Sequence, residues 1–396
     1  MRHRAGRGGS PSWLPELLGL FLLLVLLLAP AARAADFAEA LGRLEAHYAE
    51  RLPGAAFTPV AEAVDDCGDA HYLRTDALRR PAAGPLVFDH GEVRKDAILL
   101  FHGLSDSPWF MCGIAQRLHD AGANVVVALL TGHGRTEPFP EVHRDDLIGA
   151  WEEDARAALA FARTRGDRVS IGGMSLGGVL AVRTWTLAPA DVSGGVMLFS
   201  AAFDFSLGLQ LAAGCVGTAE ERRAWWAVAR RACHAFLTRA TRWWERDVAW
   251  QTGNPYRNFF SAYAALRLGE LRRETLAALD ARPLDAPLLV AHSAADIVSP
   301  IAGVEGLIAG HLHPDRVSRV TIDDERPENC RVLQSDCVRP APVVAACGLP
   351  HASLTLAVPI REALSGAVCE VANPRFDTVA DAAVAFVRAL PPPAVP

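Results

Sequence analysis

The chain has 396 residues, 51% of them hydrophobic and 21% charged, enough apolar material for a sizeable core in one large or two modest domains. That composition excludes a fibrous repeat and a disordered chain. A net charge of −6, with arginines scattered along the sequence, leaves no basic stripe with interleaved aromatics and argues against a nucleic-acid partner.

At the N-terminus, Arg2, Arg4 and Arg7 precede an apolar run from Leu17 to Ala29, and Ala31 to Ala34 ("AARA") supplies small residues at a signal-peptidase spacing. The run is shorter than the ~20 apolar residues of a spanning helix. The sequence therefore predicts a signal peptide over residues 1–34, cleaved near Ala34, rather than an uncleaved membrane anchor. Those residues carry four arginines and one glutamate, so their removal leaves a net charge of −9. No later segment reads as a membrane span, and the destination is periplasmic or secreted. Eight cysteines suit an oxidising compartment. Cys330 with Cys337 and Cys215 with Cys233 are the expected local disulfides, Cys347 with Cys369 is a further pairing, and Cys67 and Cys112 are left as partners or free.

Residues 35–84 read as an N-terminal extension. From about Pro85, short β-branched and aliphatic runs alternate with amphipathic stretches. The runs are Asp96–Phe101, Asn124–Leu130, Arg168–Gly173, Gly195–Ser200 and Ala286–His292, suited to strands buried on both faces. Between them, "SPWFMCGIAQRLHDAG", "DDLIGAWEEDARAALAFARTRG" and "LGGVLAVRTWTLA" have helical spacing. Such alternation predicts a mostly parallel, doubly wound α/β sheet. Arg319–Ile322 could add a strand and "TVADAAVAFVRAL" a closing helix, ahead of a frayed Pro-rich tail. Residues 204–282 break the pattern. They hold helical runs rich in arginine and tryptophan (Trp225, Trp226, Trp243, Trp244, Trp250) and read as a helical lid above the C-terminal strand ends, where open α/β sheets bind ligands. The core is thus expected in two parts, 85–203 and 283–396.

One short motif carries chemistry. "GMSLG", Gly173 to Gly177, is a G-x-S-x-G pattern placed where a buried strand must turn into a helix. There the serine is strained and exposed at a helix N-terminus, and the flanking glycines let strand and helix backbones approach. Ser175 needs a base and an orienting carboxylate to act as a nucleophile. Asp296, in a small-residue loop after "PLLVAHSAA", and His351, in "GLPHASLTL", follow in that order. Asp323, Asp324, His292, His311 and His313 are the competing candidates. The N–H of Leu176, and that of Leu104 in "FHGLSDSP", are the expected pair of oxyanion donors. His102 and His133 ("TGHGR") read as loop-bracing histidines near the site.

Taken together, "HGLSDSP", "TGHGR", "GGMSLGG", "AHSAADIVSP" and "PHASL" resemble the α/β-hydrolase superfamily, in particular bacterial carboxylesterases and monoacylglycerol lipase-like (lysophospholipase-like) serine hydrolases. The resemblance runs from about Ala97 to Leu390 and is weakest in the lid. It implies the α/β-hydrolase fold, with Ser175 as nucleophile, His351 as general base, Asp296 as its orienting acid, and Leu104 and Leu176 as the oxyanion hole. The leader, the cysteines and a long Asp296-to-His351 interval depart from the usual pattern.

The expected activity is hydrolysis of a carboxylic ester, of acyl, lipid or small type, through an acyl-enzyme. No cofactor and no metal are expected, because the histidines and cysteines lack ligand spacing. The partner is a small-molecule or lipid ester, and oligomeric state is not readable. The alternatives are thioesterase or peptidase chemistry on the same fold, or an inactive binding protein. Epoxide-type chemistry would want an aspartate at position 175.

Overall fold

In the computed structural model the described residues are 37–58, 67–137, 139–204, 261–322, 330–334, 343–347, 349–361 and 368–392, with a few positions between 232 and 256. The expected signal peptide and all five lid tryptophans lie outside them. Nine strands form one sheet: β1 (Ala56–Thr58), β2 (His71–Arg74), β3 (Leu86–Phe88), β4 (Arg94–Phe101), β5 (Asn124–Ala128), β6 (Gly166–Met174), β7 (Val196–Phe199), β8 (Leu288–Ser293) and β9 (Val317–Ile322). Their spatial order is β1-β2-β3-β5-β4-β6-β7-β8-β9. Strands β5-β4-β6-β7-β8-β9 run parallel, and β1-β2-β3 join antiparallel at one edge.

The period of two along β4 explains the layers. Leu99 and Phe101 enter one core with Ile171 and Leu198, whereas Ile98 and Leu100 enter the other with Met174 and Met197. Each fully buried side chain of this kind contributes roughly 1.5–3 kcal/mol. On the first face lie α1 (residues 37–49), α3 (Leu147–Arg163), α4 (Leu176–Leu187), α5 (Ala262–Ala281) and α6 (Ile301–His311). The second face is covered by α2 (Cys112–Asp120) and α7 (Phe376–Ala389). This is the mostly parallel, doubly wound α/β sheet expected from the strand and helix alternation. Arg168 opens the buried part of β6 because it is fully paired. It meets Asp96 at 2.6 Å and donates to the carbonyls of Val387 (2.8 Å) and Leu390 (2.6 Å), closing the C-terminus of α7.

Several elements depart from the sequence reading. Within the N-terminal extension, α1 buries Ala40, Leu44 and Tyr48 in the core, and β1 and β2 extend the sheet. These elements are short, or apolar on one narrow stripe, so periodicity alone does not reveal them. The last part of the lid span is α5, which puts Tyr263, Leu268 and Leu271 into the main core against α4. Helix α2 begins later than its apolar spacing suggests, because Pro108–Met111 forms a 3-10 turn first.

Cys67 and Cys112 form a disulfide, with Cα atoms 5.8 Å apart. Cys233 and Cys369 are disulfide-bonded as well, with partners outside the described side chains. In the long interval before His351, β10 (Cys330–Gln334) and β11 (Val343–Cys347) form a hairpin whose register sets Cys330 opposite Cys347. Cys215 and Cys337 lie outside the described residues. A further small pair, β12 (Ile360–Arg361) and β13 (Val368–Glu370), leads into α7. Among the described residues no helix is long and apolar enough to cross a membrane.

Candidate active site

Ser175 sits between β6 and α4 with φ 53° and ψ −117°, one of two non-glycine residues with positive φ among those described. The turn is this sharp because its neighbours have no Cβ. A Cβ on Gly173 would lie 2.8 Å from the Phe101 carbonyl oxygen and collide with the Gly177 backbone, and one on Gly177 would come within 2.8 Å of the His102 carbonyl oxygen. The close approach joins β4, β6 and α4 at one point. Gly177→Ala should therefore cost about 1–3 kcal/mol of stability by overpacking and lose activity beyond that. A thermal midpoint and activity matching wild type would show that the backbones have room.

The elbow is also held from β7. Ser175 N–H donates to the Phe199 carbonyl (3.1 Å), and Ala202 N–H donates to the Ser175 carbonyl (3.1 Å). Between them Ser200, buried, takes φ 43°. Sequence reasoning missed this residue. The only signal was a serine closing an otherwise apolar strand run.

His351 opens a 3-10 turn, His351–Thr355, whose Thr355 hydroxyl lies 3.4 Å from Met174 Sδ, directly before Ser175. Its Nδ1–H donates to Asp296 Oδ2 at 2.6 Å. The other oxygen, Oδ1, accepts the N–H groups of Val298 and Ser299, each at 2.9 Å. Burial pushes the Asp296 carboxyl up, but the His351 and Ser299 hydrogen bonds outweigh it and leave the group below the ordinary carboxylate value. Among the described residues no hydrogen bond joins His351 to Ser175. Such contacts are commonly loose until substrate orders them.

Of the competing candidates, His292 is fully buried at the end of β8. Its Nε2–H donates to the Ser299 carbonyl at 2.8 Å, so it closes the loop that carries Asp296. His311 lies at the far end of α6 with Nδ1 3.8 Å from Asp280, and His313 is exposed. Asp323 and Asp324 are outside the described residues.

Leu176 is the first residue of α4, so its N–H has no acceptor within the helix. Leu104 follows β4, and two histidines brace its loop. Leu130 N–H donates to His102 Nε2 (3.2 Å), which fixes the proton on Nδ1, and Nδ1–H donates to the Gly103 carbonyl (2.8 Å). His133 Nε2–H donates to the Leu104 carbonyl at 2.7 Å. Behind this loop a shallow cleft is lined by Tyr48, Arg51, Leu130, His133 and Arg135. It does not include Ser175, Asp296 or His351. Among the described residues no cluster of His, Cys, Asp and Glu could hold a metal ion.

Burial holds His102 well below its ordinary pKa and lowers those of His133 and His292 too. All three are neutral in the fold, so the unfolded chain binds more protons than the native one once pH drops below about 6.5. Their contribution to stability is thus complete above that value and is lost as pH falls, by up to about 1.4 kcal/mol per pH unit for each histidine. Urea unfolding at pH 7, 6 and 5 should show a steadily falling midpoint. A midpoint constant to pH 5 would mean that these rings are not buried and neutral.

A parallel sheet with a strained serine on the β6–α4 turn, and a histidine–aspartate pair after β8 and β9, defines an α/β-hydrolase. A family model described as serine aminopeptidase, S33, matches residues 92–316, more than half of the chain, and the chain belongs to this family of hydrolases. Among solved structures it is similar to a metagenome-derived lipolytic enzyme of the LipS and LipT pair. There the identity is 18%, the match covers 78% of this chain and 98% of that one, and the TM-score is 0.50. Weaker likenesses include a monoglyceride lipase of Saccharomyces cerevisiae (12% identity, 85% and 95% covered, TM-score 0.47) and a monoacylglycerol lipase of Paleococcus ferrophilus (14%, 76% and 98%, 0.45). At these identities the likeness concerns the fold. No curated protein matches the chain in sequence.

Proposed function

We propose that the protein is an exported serine hydrolase that cleaves carboxylic esters through an acyl-enzyme. The observation that carries this reading is the 2.6 Å hydrogen bond between His351 and Asp296, on a turn packed against the residue that precedes the strained Ser175. Asp296 holds the imidazole with its proton on Nδ1, which leaves Nε2 as the base. That base removes the Ser175 proton as Oγ attacks the ester carbonyl. The tetrahedral oxyanion is held by the N–H groups of Leu104 and Leu176 at the N-terminus of α4. His351 then gives the proton to the leaving alcohol, and water repeats the sequence to release the acid.

Ile297 and Val298 lie exposed immediately after Asp296. With the tryptophan-rich lid sequence they favour an apolar acyl or alcohol portion at the rim of the site. Export is supported by the basic, apolar leader and by the Cys67–Cys112 disulfide, a bond that persists in oxidising compartments. A fluorophosphonate probe tests the nucleophile: wild type should be labelled on Ser175. A folded protein that resists labelling would instead fit a binding module on a hydrolase fold. A panel of p-nitrophenyl esters, thioesters and aminoacyl anilides of graded length then ranks the bond types, and preference for the anilides would replace the ester reading with a peptidase one.

A further inference from the structure

The N-terminal helix lies outside the span of the family match, yet its polar side chains reach the loop that carries Leu104 through a run of buried and half-buried hydrogen bonds, with the His133 ring packed against the Thr131 carbonyl as the one link that is a contact only. Arg51, just beyond α1, donates to both oxygens of Asp154 on α3, at 3.2 Å to Oδ2 and in a close contact with Oδ1. His47 Nε2 lies 2.9 Å from the same Oδ1. Asp154 is wholly inaccessible. Its Oδ2 accepts both the N–H (2.6 Å) and the hydroxyl (2.7 Å) of Thr131.

The Thr131 carbonyl is held by Trp151 Nε1–H (3.0 Å) and lies 3.1 Å from His133 Nδ1, and the opposite edge of the His133 ring donates to the Leu104 carbonyl. Two parallel ties reinforce the path. Leu129 N–H donates to the Tyr48 hydroxyl of α1, and Leu130 N–H donates to His102, which holds Gly103. Leu104, whose N–H should meet the oxyanion, therefore has carbonyls held on both sides: that of Gly103, in the donor's own peptide, by His102, and that of Leu104, in the next peptide, by His133.

We propose that Arg51, with His47, is a positioning residue for the Leu104 oxyanion donor, acting through Asp154, Thr131 and His133. The physical reason is the buried Asp154 carboxylate. With Arg51 opposite, it is compensated and can grip Thr131 with full charge. Without Arg51 only His47 and Thr131 face it, and a poorly compensated carboxylate in the core is a state that proteins relieve by protonation or by admitting water. Either change loosens Thr131 and releases the His133 brace on Leu104. A misplaced donor acts on the transition state and leaves ground-state binding nearly untouched.

This inference rests on the oxyanion role proposed for Leu104, so its test has two readouts. In the full chain, Arg51→Met should raise amide exchange over residues 102–111 at least fivefold, while exchange in β6 and β7 stays as in wild type. It should also slow fluorophosphonate labelling and kcat by about 10- to 100-fold, with KM within twofold. Arg51→Lys, which keeps the compensating charge, should recover most of both. Combined with His133→Asn, the two losses in kcat/KM should not multiply, because both variants break one chain.

Unchanged exchange over 102–111 in Arg51→Met overturns the proposal whatever the activity. Fully multiplicative losses in the double variant do the same. If exchange rises but neither wild type nor variant is labelled, the positioning chain stands and the hydrolase reading fails. Should Arg51→Met not fold, Thr131→Val removes only one of the two hydrogen bonds to Asp154. It should reproduce the pattern at about 3- to 10-fold, and a wild-type kcat there counts against the chain.

Discussion

Replacing Ser175 by alanine should lower ester hydrolysis by at least about 10³-fold and abolish fluorophosphonate labelling, without loss of stability. The site explains why the two effects separate. The left-handed backbone at Ser175 is imposed by the Phe199–Ala202 turn and by the contact of Gly173 and Gly177 with β4, none of which involves the hydroxyl. Alanine keeps a Cβ in the same strained conformation, so the elbow survives and only the nucleophile is lost. Steady-state rates on p-nitrophenyl esters, measured beside thermal unfolding, check both halves. A variant within tenfold of wild type would show that another group attacks the substrate.

The second large effect is expected at Asp296. Asp296→Asn keeps an oxygen for the N–H groups of Val298 and Ser299, so the loop geometry should persist. What changes is the face toward His351. An amide there can present an N–H where the carboxylate accepted one, favouring the tautomer with the proton on Nε2 and removing the base. The charge that steadies the imidazolium is also gone. Loss of kcat by about 10³- to 10⁴-fold is expected, with KM little altered. The measurement is kcat and KM on p-nitrophenyl esters beside wild type. A loss smaller than tenfold would return the role of the acid to Asp323 or Asp324.

The two histidines that brace the Leu104 loop show where local reading ended. "FHGLS" and "TGHGR" mark turns near the site, and each histidine reads plausibly as structural from its glycine neighbours. Nothing in either motif says that His133 of one grips the carbonyl of Leu104 in the other. That contact joins segments 29 residues apart. Asp154 is a stronger case. On sequence it is one acid among several in an amphipathic helix, "EEDARAA", where a carboxylate is usually solvated. It is buried because Arg51 and His47 arrive from more than 100 residues away. The same holds for Ser200, whose strain comes from the need to bond Ser175 on both sides.

The disulfides follow this rule from the other direction. Cysteine spacing suggested Cys330 with Cys337, which lies outside the described residues, and the β10–β11 register sets the backbones of Cys330 and Cys347 opposite each other. Cys67 and Cys112, 45 residues apart with no local cue, are joined.

By itself the sequence determined the alternation of buried strands and amphipathic helices, and with it the parallel sheet. It also determined the place of Ser175, because G-x-S-x-G at a strand-to-helix junction is a local demand on backbone space. Periodicity and glycine positions are short-range properties, so they are written within a dozen residues. Only the tertiary structure decided that α1 is part of the core and that α5 packs on α4, and only it joined His351 to Asp296 across 55 residues. Those outcomes depend on which surfaces meet once the sheet has formed. A buried charge or a bare carbonyl then takes whatever partner the fold brings within about 3 Å, and one-dimensional spacing does not carry that distance.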